Sequence, residues 1–135
     1  MTAHRLLFPL VLAVLAGTGG LILRAQGNAD AAKMKNPVAA TPESIAAGQQ
    51  LYARNCASCH GRNGQGGPGN DLIPAAPSLL GDGWTHGSTD GEIFTVIRDG
   101  VRSTGMKAYG RKMTAHQVWD VVNYLRSIGP KTGSH

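Results

Sequence analysis

One short stretch, NCASCHGRNGQG at residues 55–66, constrains this chain more than any other. It holds both cysteines of the 135-residue sequence, Cys56 and Cys59, and His60 follows the second directly. Three uses of such a triplet fail on simple grounds. A thioredoxin-like dithiol requires a βαβ setting, and the chain shows no strand pattern. Structural zinc takes four ligands, usually as two separated pairs. Here the second pair is missing, because His86 and His116 stand alone, and the adjacent Cys59 and His60 make a poor tetrahedral chelate. A disulfide between Cys56 and Cys59 would close a very short loop and add little stability.

What remains is C-x-x-C-H as an attachment site for covalent haem c, one per chain. Two thiols with two residues between them can add to the two vinyl groups on one edge of a porphyrin. The next residue then turns under the ring and presents its imidazole to the iron. Composition agrees. Aromatic residues make up only 5%, against 19 Gly and 7 Pro, so the chain has few large side chains for a core. A flat apolar cofactor wrapped by helices supplies the missing burial.

The N-terminal segment MTAHRLLFPLVLAVLAGTGGLILRAQG reads as an address. Arg5 precedes an apolar run that continues to Leu23, so residues 1–26 are a signal peptide or an uncleaved membrane anchor, with residues 6–23 as the attaching stretch. Either reading places the rest outside the cytoplasm, in the periplasm or on the extracytoplasmic face of the membrane. Residues 27–41 are small, polar and poorly patterned, and read as a linker. A domain is expected over 42–130 and a flexible tail over 131–135. The formal net charge of +5 suits an acidic partner or a membrane surface. Nucleic acid is excluded, because the chain is exported and has no interleaving of aromatic with basic residues.

From Thr41 onward the pattern is helical. Thr41 and Pro42 form an N-cap and first-turn pair, and Ile45, Tyr52 and Cys56 then share a face. Thr89 with Glu92 and Thr114 with Gln117 are capping-box pairs that open two further helices. Ile93, Phe94, Val96, Ile97 and Val101 line the first of these; Val118, Val121, Val122 and Leu125 line the second, which Gly129 and Pro130 end. The Gly-rich run GRNGQGGPGN lacks a G-K-[ST] ending and a preceding strand, so it is a loop and not a phosphate cradle.

On these residues the chain from about Thr41 to Ile128 resembles a small bacterial class I cytochrome c. The resemblance implies an all-α, cytochrome c-like fold of three main helices around the haem. It sets Gly48 and Tyr52 of AAGQQLYARNCASCHG against Trp119, Tyr124 and Leu125 of the last helix. APSLLG is similar to the family's Pro-x-Leu-x-Gly turn, which makes Pro77 the carbonyl partner of His60, with Pro68 and Pro74 as competitors. The sixth iron ligand in this family is a methionine before the last helix, followed by proline and then an aromatic. In GMKAYGRKM, Met106 and Tyr109 fit, while Lys107 replaces the proline. Met113, His86 and His116 are the rivals for that position, Met113 being more simply a core residue. Trp84 either aims its indole N–H at a haem propionate or fills core.

The function implied is single-electron transfer with His60/Met106 ligation and no catalysis. The partner would be an acidic redox protein or complex: an oxidase, a dehydrogenase or another respiratory complex. Arg98, Arg102, Lys107, Arg111 and Lys112 flank the Met106 loop and would steer it. Two alternatives stay open: a haem enzyme or gas binder with a vacant or labile sixth position, and a fixed subunit of a larger membrane or dehydrogenase complex.

Overall fold

The structure, a computed structural model, describes residues 28–67, 74–81 and 84–130. The expected leader at 1–26, the tail at 131–135 and the competitor Pro68 lie outside the described residues. Among the described residues five helices follow one another: α1 (Ala29–Lys33), α2 (Pro42–Asn55), α3 (Ala57–His60), α4 (Asp90–Asp99) and α5 (Ala115–Ile128). Among the described residues there is no strand, and no helix is long and apolar enough to cross a membrane.

Local chemistry sets the helix ends. Thr41 Oγ1 accepts from Ser44 N at 3.2 Å, and Pro42 opens α2, where a missing N–H costs nothing. Both capping boxes close: Thr89 with Glu92 starts α4, and Thr114 with Gln117 starts α5. Gly129 ends α5 with an extended backbone and not a left-handed one. Its requirement is space, because a Cβ there would come within 2.5 Å of Leu79 O.

The core forms where α2 and α4 pack on α5. A side chain at Gly48 would overlap the Asp120 carbonyl, so glycine lets the α2 and α5 backbones meet. One turn on, Tyr52 sets its ring 5.2 Å from that of Tyr124. Tyr52, Val118, Val121 and Val122 are fully buried, each aliphatic or aromatic side chain contributing about 1.5–3 kcal/mol. Trp119 stacks on Phe94 of α4, with centroids 4.2 Å apart, and so also pins α4.

Residues 28–41 differ from the expected linker. Asn28 Oδ1 accepts from the Asp30 and Ala31 amides to start α1, and Ala31 is buried against α4 where Gly91 leaves room. Asn36 Nδ2 then donates to Asn123 Oδ1 at 2.7 Å, and Asn123 Nδ2 donates to the Val38 and Ala39 carbonyls. Asn123 also reaches Ser44 Oγ, which donates to Asp120 Oδ1 at 2.6 Å. A five-residue helix of small residues carries too little periodicity to be read in advance, yet its smallness is what allows the close approach.

Candidate functional site

The C-x-x-C-H residues sit where α2 breaks. Cys56 caps α2 with φ −117°, its N–H still bonded to Tyr52 O at 2.8 Å. The chain then turns into the short α3, where Cys59 N and His60 N both donate to Cys56 O, at 3.0 and 2.9 Å. Cys56 and Cys59 are not joined to each other in a disulfide. Burial, then the neighbouring Cys59, pushes the Cys56 thiol up to about 11, which keeps it protonated at neutral pH. Tyr52 underpins the segment by donating its hydroxyl to Gly61 O at 2.8 Å.

Behind His60 the glycine loop folds onto residues 76–79. Gly66 N donates to His60 O, Gly67 N to Ala76 O and Leu79 N to Gly64 O. Gly66 adopts φ 90°, and a Cβ there would lie 2.9 Å from Ser78 N, so both its dihedral and its crowding call for glycine. This brings Pro77 O to 3.2 Å from His60 Nδ1. A proton on Nδ1 would be donated to that carbonyl, leaving Nε2 as the nitrogen with the lone pair. Pro74 also lies on this side, lining the cavity described next.

Cys56, Cys59 and His60 line one cavity of about 440 Å³. Ile93 and Ile97 of α4 and Val121 and Leu125 of α5 contribute its apolar surface. Met106 lines it too, from the loop between α4 and α5. That loop closes on itself: Val101 N donates to Met106 O at 3.0 Å, Thr104 Oγ1 donates to Val101 O, and Met106 N donates to Thr104 Oγ1. Ser103 takes φ 61° to make the turn. The other candidates divide. His86 lines the cavity as an exposed side chain. Met113 is buried in the helix core, and His116 is 71% exposed beside Asp120; neither lines the cavity.

Trp84 lines the same cavity, and its Nε1 is buried with no hydrogen-bond partner among the described residues. Arg126 lies 5.8 Å over the indole ring and is itself held by Asp90 Oδ1 at 2.7 Å, by Pro130 O and by Ser88 O. Sequence reasoning missed this guanidinium, because nothing local marks a pair of residues 36 apart. Around the Met106 loop, Arg98 is paired with Asp99 at 2.7 Å, whose hydrogen bond lowers the Asp99 carboxyl and raises Arg98. Arg102, Lys107 and Arg111 are exposed.

These residues fit a covalent haem. The cavity is apolar and of ligand size, two thiols and an imidazole meet at one part of it, a thioether lines it, and a buried indole N–H lacks an acceptor. Among the described residues no three His, Cys, Asp or Glu side chains gather closely enough to hold a metal ion by themselves, so zinc has no ligand set there.

Comparison with known proteins agrees with this chemistry. The family model described as "Cytochrome C oxidase, cbb3-type, subunit III" matches residues 43–125. The cbb3-type cytochrome c oxidase subunit CcoP of Azospirillum sp. (strain B510) is 34% identical over 100 residues, covering 65% of this chain and 32% of that protein. Subunit FixP of Bradyrhizobium diazoefficiens is 31% identical over 115 residues, covering 78% of this chain and 38% of its own length. The chain thus spans about a third of the length of these curated relatives. Among solved structures, cytochrome CL of Methylophaga aminisulfidivorans superposes with a TM-score of 0.56 at 26% identity, over 65% of this chain and 55% of that one.

Proposed function

This chain belongs to the family of cbb3-type cytochrome c oxidase subunit III and has the all-α fold of a c-type cytochrome; from that premise we propose that it is a single-electron carrier acting between extracytoplasmic redox partners. When bound, haem c supplies a reversible one-electron couple. Cys56 and Cys59 would hold the group covalently, and His60 and Met106 would ligate its iron. Pro77 O accepts the Nδ1 proton of His60, which fixes the ring and makes the ligating nitrogen more basic. Trp84 Nε1–H would donate to a propionate and so gain the partner that a buried donor requires.

The apolar side chains of α4 and α5 keep water from the centre, and the soft thioether of Met106 favours the reduced state over a second imidazole. If His60 and Met106 both held the iron, no position on it would remain for a substrate, and the chain would serve as an electron-transfer component and not as a catalyst. The cations around Met106 steer an acidic partner, with a salt-dependent rate. One observation carries most of this reading: Cys56, Cys59, His60 and Met106 line a single apolar cavity. A potentiometric titration of the purified protein should give one transition with the slope of a single electron. Two transitions, or peroxidase turnover at a rate typical of an enzyme, would oppose the assignment.

The relatives favour one setting in particular, a module fixed to a respiratory oxidase complex on the outer face of the cytoplasmic membrane. Native membranes solubilised in mild detergent should then yield this chain co-purifying with oxidase subunits. Recovery in the soluble periplasmic fraction would instead favour a diffusing shuttle.

A further inference from the structure

We infer that Tyr109 is a positioning residue whose hydroxyl latches the Met106 loop to the haem-attachment helix. The inference rests on the reading of Met106 as an iron ligand and names what holds it there. Tyr109 Oη donates to Asn55 O at 2.8 Å, across 54 residues of sequence. Asn55 is the last residue of α2 and directly precedes Cys56.

That carbonyl needs a donor for a specific reason. In an unbroken helix Asn55 O would accept from Cys59 N. The turn at Cys56 diverts both Cys59 N and His60 N to Cys56 O, so the attachment motif itself deprives Asn55 O of its helical partner. Tyr109 restores it from the other side of the site.

The remaining bonds described for residues 101–113 do not do this work. Val101, Thr104 and Met106 bond among themselves, Lys112 N and Met113 N bond back to Tyr109 O, and Tyr109 N and Gly110 N reach only Ile97 O and Arg98 O of α4. They tie the loop to α4 and not to the motif. The Tyr109 hydroxyl therefore joins the segment carrying Met106 to the segment carrying Cys56 and His60, and its half-buried ring is covered by Lys112, whose Nζ lies 5.8 Å over it.

Tyr109→Phe in the haem-loaded protein tests this, with Val118→Ala as a control that weakens the core without touching the latch. The far-red sulfur-to-iron band and the far-UV helical signal are followed together on heating. Tyr109→Phe should lose the band before the helices melt, with the equilibrium between bonded and released sulfur shifted about fivefold towards release, the weight of one ordinary hydrogen bond. Val118→Ala should shift both signals in parallel. Parallel loss in Tyr109→Phe as well would overturn the latch.

Should the wild-type protein show no far-red band, the ligand assignment fails by itself, and amide hydrogen exchange decides the latch. Faster exchange at the Val101 and Tyr109 amides in Tyr109→Phe, with α5 unchanged, supports it. Equal exchange in the two proteins refutes it.

Discussion

The attachment segment and the Met106 loop line the same cavity and are held in different ways. Cys56, Cys59 and His60 sit on consecutive helical turns whose carrier, α2, is buried against α5 through Gly48 and Tyr52. His60 has a carbonyl behind it. Met106 comes from a loop that closes on itself and is hydrogen-bonded to the rest through backbone bonds to α4 and one hydroxyl, while Met106 and Tyr109 pack against the core. His60 is carried by a short helix continuing from α2, whereas Met106 is carried by a loop. On the proposed reading, the helical element would carry the covalent attachment, and the bond to the Met106 sulfur would be the first to yield.

The largest effect should come from removing the attachment altogether. In Cys56→Ser/Cys59→Ser no haem should survive a denaturing gel with the polypeptide, whereas the wild type retains all of it; residual staining of the double variant would break the comparison at its root. Next is the support beneath that segment. Gly48→Val forces a side chain into the Asp120 carbonyl, and a loss of about 3 kcal/mol is expected in thermal or guanidinium unfolding, with failure to fold as the extreme. A near-neutral result would mean that α2 is not held by its crossing with α5.

A third effect depends on pH. The Tyr52 phenol is pushed up to about 12, chiefly by burial and then by the neighbouring Cys56 and Tyr124. A raised acid is one the fold keeps protonated, so its contribution is fully present below pH 10 and disappears as pH rises towards 12. Melting temperature should fall across that window, and Tyr52→Phe should flatten the fall; an unchanged slope in the variant would place the alkaline weakness elsewhere. The smallest effect sharpens the contrast from the other side. Lys107→Pro should restrain the Met106 loop and stabilise it by about 0.5 kcal/mol, seen as a later thermal loss of the far-red band with no change in haem attachment.

The same division explains what could be read from the sequence. The attachment residues are contiguous, and their order carries their chemistry. Helix starts were equally legible, since Thr41, Thr89 and Thr114 cap with partners three residues away. What escaped was tertiary. Trp119 was set against α2 and its stacking on Phe94 was not expected, because an aromatic on a helix with two packed faces does not announce every neighbour. Residues 28–41 looked like a linker, since Ala31, Asn36 and Val38 make their contacts with elements more than fifty residues on. The Arg126 bond to Asp90 and the Tyr109 bond to Asn55 likewise join residues that no local pattern pairs.

The measurement that tests the account most directly is the absorption spectrum of the purified oxidised protein, scanned into the far red and repeated after dithionite and then carbon monoxide. The account predicts a weak sulfur-to-iron band that Met106→Leu abolishes, and sharp low-spin ferrous bands that carbon monoxide leaves unchanged. A low-spin spectrum without the far-red band would move the ligand to a histidine, with His86 on the cavity wall as the first to test. A high-spin spectrum that shifts with carbon monoxide would contradict the account, because it would mean an open iron and a catalyst or sensor in place of a carrier.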